Sequence, residues 1–131
     1  MFDIESIPDE HLVYRQVKNV FLIGGNLSAN AFADEELSVD WSKYSDPDAT
    51  IARVGAPGGL YPRDQADYGV AQLNVGAVRA IPQEVRHDPL FPVPLNRAHS
   101  LIVGKKGKPA KHMLTLKKLA TVVRQPANLL A

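Results

Sequence analysis

Leu37-Ser38-Val39-Asp40-Trp41 alternates apolar and polar side chains, and this short stretch decides the fold. Side chains along an extended chain point to opposite faces in turn. Leu37, Val39 and Trp41 therefore share a buried face, while Ser38 and Asp40 share the other. A half-buried strand of this kind needs partners. Upstream, His11 to Val17 is β-rich and follows Pro8, and Val20-Phe21-Leu22-Ile23 reads as a short buried strand closed by Gly24-Gly25. Asn26 to Glu36 reads as a loop or a single helical turn anchored by Phe32. Downstream, Ser45 or Asp46 can accept from an orphan helix N–H, Pro47 presets φ and Asp48 complements the dipole. That predicts a short helix over about 47–54, ended by Gly55.

The remaining chain follows the same logic. Residues 56–67 form a long connection, open to reading as a binding loop or as disorder. Tyr68 to Leu73 is a strand. Asn74 caps a short helix that buries Val75, Val78 and Ile81 and stops at Pro82. Glu84 to His87 and Ala98 to Val103 are strands on either side of a segment holding Pro89, Pro92 and Pro94. Met113, Leu116, Ala120 and Val123 recur at helical spacing, which predicts a last helix over about 109–124. The expected fold is α+β: one small mixed or antiparallel sheet of five or six short strands with two or three helices packed on it. No linker or repeat divides residues 1–131, so one domain is expected.

Composition narrows the chemistry. The chain has 131 residues, 45% of them hydrophobic and 22% charged, which suits a globular domain. It has no cysteine, which removes disulfides, thiolate metal sites and a cysteine nucleophile and fits a reducing cytoplasm. The acidic start MFDIESIPDE is unlike a secretory signal, and no apolar run is long enough to span a membrane. A cytoplasmic protein is expected. Charge is segregated: residues 1–50 carry ten acids against Arg15, Lys18 and Lys43, while 105–131 carry seven basic residues and no acid. Either the two ends neutralise each other in the fold, or the basic end faces an acidic partner.

No glycine-rich phosphate loop, HExxH, EF-hand loop or nucleophile elbow is present. The candidate catalytic residues are His87, Asp88 and His99. If the strands ending at 87 and starting near 98 are antiparallel neighbours, the two imidazoles face the same side, below Asp88 and Asn96. Such a set can bind a metal or act as general acid and base, while apolar-face histidines also serve as plain core residues. No metal and no cofactor is assigned. Arg15, mid-strand, needs either an acid, with Asp40 the candidate, or an anionic ligand. Lys105, Lys106, Lys108 and Lys111 can meet phosphates or simply form a solvated face, and no aromatic residue lies among them to stack a base.

Two resemblances attach to these residues. Arg15, Ser38 and His99 together resemble the strand residues with which ADP-ribosyltransferases grip a nicotinamide dinucleotide, although the glutamate of those enzymes has no counterpart. The succession Val-Tyr-Arg (13–15), Leu-Ser-Val-Asp-Trp (37–41), Tyr-Gly-Val-Ala (68–71), His-Asp-Pro (87–89), Asn-Arg-Ala-His (96–99) and Gly-Lys-Lys (104–106) is similar to small bacterial proteins. That likeness implies a standalone bacterial domain and no particular activity. The expectation from sequence is a binding or accessory module working through another protein, since no complete catalytic set is visible and the 88–94 segment is proline-rich. The alternatives are an enzyme on a phosphate-bearing substrate (nucleic acid or nucleotide) centred on His87 and His99, and non-specific nucleic-acid binding through 105–118.

Overall fold

The alternation around Ser38 builds a sheet. The computed structural model describes residues 1–59, 62–106 and 111–130. Six strands lie in it: β1 (Leu12–Lys18), β2 (Glu36–Trp41), β3 (Tyr68–Asn74), β4 (Glu84–His87), β5 (His99–Val103) and β6 (Thr121–Arg124). Their order is β4-β5-β2-β1-β3-β6, and every neighbouring pair is antiparallel. The expected α+β arrangement is thus present, with three helices: α1 (Pro47–Ala52), α2 (Val75–Arg79) and α3 (Lys111–Leu119). No helix among the described residues is long and apolar enough to cross a membrane.

The two faces carry different loads. Val13, Val17, Leu37, Val39, Trp41, Ala71, Leu73, Val85 and Ile102 point to one face and join Phe32, Val75, Val78 and Leu116 in the main core. Tyr14 and Val70 point to the other, where Ile51 of α1 covers them. Beyond that small cluster the second face stays open, and its polar strand residues line a cleft.

The ladders are unequal. β1 pairs with β3 from Leu12↔Asn74 to Lys18↔Tyr68, and β2 pairs with β5 from Glu36↔Val103 to Asp40↔His99. Between β1 and β2 the register consists only of Val13↔Trp41 and Tyr14↔Asp40. Past that seam the Arg15 side chain takes over. Its Nη1 donates to the Ser38 carbonyl at 2.9 Å and its Nε to the Ala31 carbonyl at 3.0 Å.

Two expectations are corrected. Val20 to Ile23 is not a strand: Asn19–Phe21 and Ile23–Gly25 are 3-10 turns. Gly24 and Gly25 have φ of 61° and 83°, which curls the chain so that Gly24 N–H donates to the Leu130 carbonyl at 2.8 Å. Leu22 is buried and Phe21 packs partly against the core while Val20 and Ile23 stay exposed, so two adjacent anchors, not a strand, explain the apolar run. The last helix is also shorter than expected. α3 ends at Leu119, and Thr121–Arg124 form β6, pairing with the edge of β3. The β-branched run Thr121-Val122-Val123 favours extension once a strand edge is available, and apolar spacing over so short a window fits either state. Val123 accordingly stays 39% exposed instead of joining a helical stripe.

Helix starts follow the expected chemistry. The Asp46 side chain accepts from Ala49 N–H at 2.8 Å, and the Asn74 side chain from Ala77 N–H at 2.9 Å. Asp46→Ala should therefore cost about 1 kcal/mol in urea unfolding, the usual loss for an N-cap, while Asp46→Asn should cost far less.

Candidate functional site

The strand register decides which polar residues meet. In the β4–β5 ladder His87 lies opposite Ser100 and Arg86 opposite Leu101. Directly opposed residues share a face, so His87 goes with Val85, Ser100 and Ile102, and His99 goes to the other side. The expectation that both imidazoles face one side is corrected: they lie on opposite faces of the sheet.

His87 is a core residue. It is buried against Trp41, with ring centroids 5.1 Å apart, and stacks on Tyr44. Its Nδ1 accepts the Glu5 N–H at 3.1 Å, so Nε2 carries the proton and donates to the Arg97 carbonyl at 2.6 Å. Both ring nitrogens are committed to backbone. Around it, Glu5 accepts from Lys43 at 2.5 Å and also from the Tyr44 hydroxyl, and these two partners hold its carboxyl below the usual carboxylate range. Arg97 lies over the Tyr44 ring at 4.3 Å. This cluster fastens the N-terminal segment to the back of the sheet.

His99 faces the cleft. It lies directly opposite Asp40 and diagonally from Ser38 in the β2–β5 ladder, so all three side chains point the same way. Its Nε2 is 3.1 Å from the Ser38 hydroxyl. Its Nδ1 is 2.8 Å from the Asp88 carbonyl and 3.2 Å from the Asp88 carboxylate. A carbonyl oxygen only accepts, so Nδ1 must carry a proton, and in the neutral ring Nε2 presents its lone pair to Ser38. Ser38 is exposed, while the His99 side chain is 14% exposed and that of Asp88 47%. Hydroxyl, imidazole and carboxylate form a hydrogen-bonded series running from the cleft to the start of the proline-rich loop.

Asp40 is the hub beneath this series. One carboxylate oxygen accepts from Thr50 Oγ1 and Arg53 Nη1, each at 2.9 Å, and the other accepts from Asn96 Nδ2 at 2.9 Å. Arg15 is not its partner, contrary to expectation. The ion pair is with Arg53 at the end of α1, and Arg15 serves the Ser38 and Ala31 carbonyls. Burial lowers the pKa of the Arg15 guanidinium, with Asp34 opposing the shift, yet an arginine stays cationic at neutral pH. Asn96 thus links α1 through Asp40 to the loop carrying Asp88, and its Oδ1 accepts Ala98 N–H at 3.0 Å.

The cleft has a volume of about 650 Å³ and is lined by Tyr14, Arg15, Lys18, Ser38, Asp40, Arg53, Arg63, Tyr68, Leu95, Asn96 and His99 among others. Gly58 closes one end of it. Its φ is 93°, and a Cβ there would sit 2.5 Å from the Pro94 nitrogen, so only glycine lets the two loops touch. Of the residues singled out from sequence, the structure gathers Arg15, Asp40, Asp88, Asn96 and His99 here and leaves His87 behind. Ser38, absent from the expected catalytic set, joins them. The signal for it was the alternation of 37–41, which already placed Ser38 on the polar face.

The basic segment does not form one surface. Lys106 is fully buried, its Nζ donating to the Glu35 carbonyl at 3.0 Å and the Ile102 carbonyl at 3.4 Å, so its expected phosphate contact is corrected to a structural tie. Lys105 and Lys111 are exposed, and Lys108 lies outside the described residues. Among the described residues one ion pair joins the acidic and basic ends, Arg124 with Asp48. No group of three or more metal-ligating side chains that could hold an ion occurs among the described residues.

Two outcomes follow from this electrostatics. Burial, and then the nearby Arg15 charge, lower the Lys106 pKa from 10.5 to about 8. Between pH 8 and 10.5 the unfolded chain holds a proton that the folded chain has shed. Stability therefore rises with pH across that window, and below it the penalty is constant. Denaturant titrations of wild type and Lys106→Met should differ in slope there, the variant lacking the rise. Asp40→Ala leaves three donors without their acceptor and should cost about 3 kcal/mol, read from the same titrations. Comparison of the chain with protein-family models, with curated proteins and with solved structures finds no significant match, and the functional reading therefore rests on this geometry.

Proposed function

We propose that the protein is an enzyme acting on a phosphate-bearing substrate of nucleotide size, with His99 as its general base. The observation that carries this reading is the series Ser38–His99–Asp88 at an open cleft, with the His99 tautomer fixed by the Asp88 carbonyl. An imidazole whose Nδ1–H is held and whose Nε2 lone pair faces the cleft is set to take a proton. Arg15, Lys18, Arg53 and Arg63 line the cleft against Asp34, Glu36 and Asp40, a balance that suits an anionic group, and the Tyr14 and Tyr68 rings suit a flat one. The volume falls within the range of about 300–1,000 Å³ usual for small-molecule sites. Arg15, Ser38 and His99, the set resembling that of ADP-ribosyltransferases, all line this one cleft, which supports including dinucleotides among the candidate substrates.

The accessory-module reading keeps one observation in its favour. Phe91, Val93 and Leu95 on the proline-rich loop are 54%, 65% and 61% exposed, more apolar surface than a short loop usually shows to water. Nucleic-acid binding through 105–118 is weakened by the burial of Lys106.

The test is hydrolysis of a panel of nucleotides and dinucleotides. His99→Gln should reduce turnover by about 10²–10⁴-fold with an unchanged melting temperature. His87→Ala should lower the melting temperature, since it strands the Glu5 N–H and the Arg97 carbonyl, but leave the rate per folded molecule intact. Turnover indifferent to His99→Gln would sink His99 as the base, and no turnover of any member of the panel would sink the enzymatic reading and leave the partner-binding one.

A further inference from the structure

We propose that Ser38 is itself the attacking nucleophile, so that the reaction runs through a covalent phosphoseryl enzyme. This rests on the reading of the cleft as a phosphate-processing site and goes past it by assigning the bond that forms. A general base in an open cleft most simply activates water. Here the hydrogen-bond position of the lone pair is taken by a side-chain hydroxyl: Ser38 Oγ lies 3.1 Å from His99 Nε2. In the neutral ring, with Nδ1 protonated, the Ser38 hydroxyl is the donor in that contact, the geometry in which the base removes the hydroxyl proton as oxygen attacks.

Three features hold the hydroxyl for attack. Ser38 is exposed on a strand, not on a mobile loop, and its carbonyl is gripped by Arg15 Nη1 at 2.9 Å where β1 no longer pairs with β2. Opposite, the His99 ring is oriented from behind by both the carbonyl and the carboxylate of Asp88. Arg15 is one of the cleft-lining residues, and its Nη1 on the Ser38 carbonyl puts a positive charge at the strand that carries the nucleophile.

The step balances without any added reactant but water. Ser38 Oγ forms a bond to phosphorus while the bond from phosphorus to the leaving oxygen breaks, and the hydroxyl proton passes to Nε2 and on to the leaving oxygen. Water then attacks the phosphoserine, gives its proton to the same Nε2, and Ser38 Oγ leaves with that proton. Asp88 stays ionised throughout and holds the imidazolium that forms in each half.

Diisopropyl fluorophosphate tests the assignment without a known substrate. Attack by Ser38 would form the oxygen–phosphorus bond and expel fluoride, leaving one adduct per chain on the peptide containing Ser38. Ser38→Ala should carry no adduct there, and His99→Gln should label at least about 100-fold more slowly, the scale of a lost general base. Melting temperatures of both variants should match wild type, because Ser38 is exposed and His99 lies off the main core. No adduct at Ser38, or labelling at an equal rate in His99→Gln, overturns the proposal. Running the nucleotide assay alongside separates the two claims. Hydrolysis kept in Ser38→Ala but lost in His99→Gln overturns the nucleophile and leaves a water-using phosphate enzyme. His99-dependent labelling with no hydrolysis of any phosphate substrate keeps the nucleophile and removes the phosphate reading.

Discussion

The seam between β1 and β2 is the constraint on which the site depends. Two antiparallel ladders, β1 with β3 and β2 with β5, are joined by only two residue pairs, Val13↔Trp41 and Tyr14↔Asp40. A strand that leaves its neighbour exposes carbonyls that must find other donors. Arg15 supplies them, and in doing so places a cation at the fork of the sheet, on the backbone of the strand that carries Ser38 and Asp40. A guanidinium fits this task because its planar fork can serve two fixed carbonyls at once, which a lysine ammonium on a flexible stem does less well. The fork borders the cleft, whose lining includes Arg15, Gln16, Val17 and Lys18 beyond the last β1–β2 pair.

Rigidity around the fork comes from Asp40. Its carboxylate joins α1 through Thr50 and Arg53 to the proline-rich loop through Asn96, so three segments distant in sequence meet at one pair of oxygens. The loop carrying Asp88 is fastened at both ends, by Asp88 N–H donating to the His99 carbonyl at 2.9 Å and by the Leu90–Asn96 bridge. Behind the sheet, Glu5 and His87 tie the N-terminal segment to the same region. Residues that orient His99 are thus held from both faces. Lys106 adds a further tie, bonding the Glu35 carbonyl just before β2 begins.

Much of this was legible in the sequence, and the losses have definite causes. The 37–41 alternation placed Ser38 and Asp40 correctly, and the caps at Asp46 and Asn74 started helices where their chemistry required. The histidine pair failed because side-chain parity along one strand says nothing of register between strands. His87 opposite Ser100, not opposite His99, is one residue's shift, and one residue moves a side chain to the other face. The 121–124 segment failed because its fate is set by the vacant edge of β3, a partner about fifty residues away. Lys106 failed because a lysine beside two others looks solvated. Only the fold shows that Gly104 turns the chain inward, with its N–H and the Lys106 ammonium sharing the Glu35 carbonyl.

The two histidines show how far residue type alone can carry a functional argument. Each has one ring nitrogen whose partner admits a single role. For His87 the Glu5 N–H forces Nδ1 to accept, and the Arg97 carbonyl then takes the proton on Nε2, so nothing remains to exchange. For His99 the Asp88 carbonyl forces Nδ1 to donate, and Nε2 meets an exposed hydroxyl that can either give or take a hydrogen bond. Backbone groups on both sides make an imidazole a rivet, while a backbone group on one side and a hydroxyl in a cleft give the arrangement on which the proposed base rests. What separates them is the identity of the second partner, and that follows from which face of the sheet the register assigns.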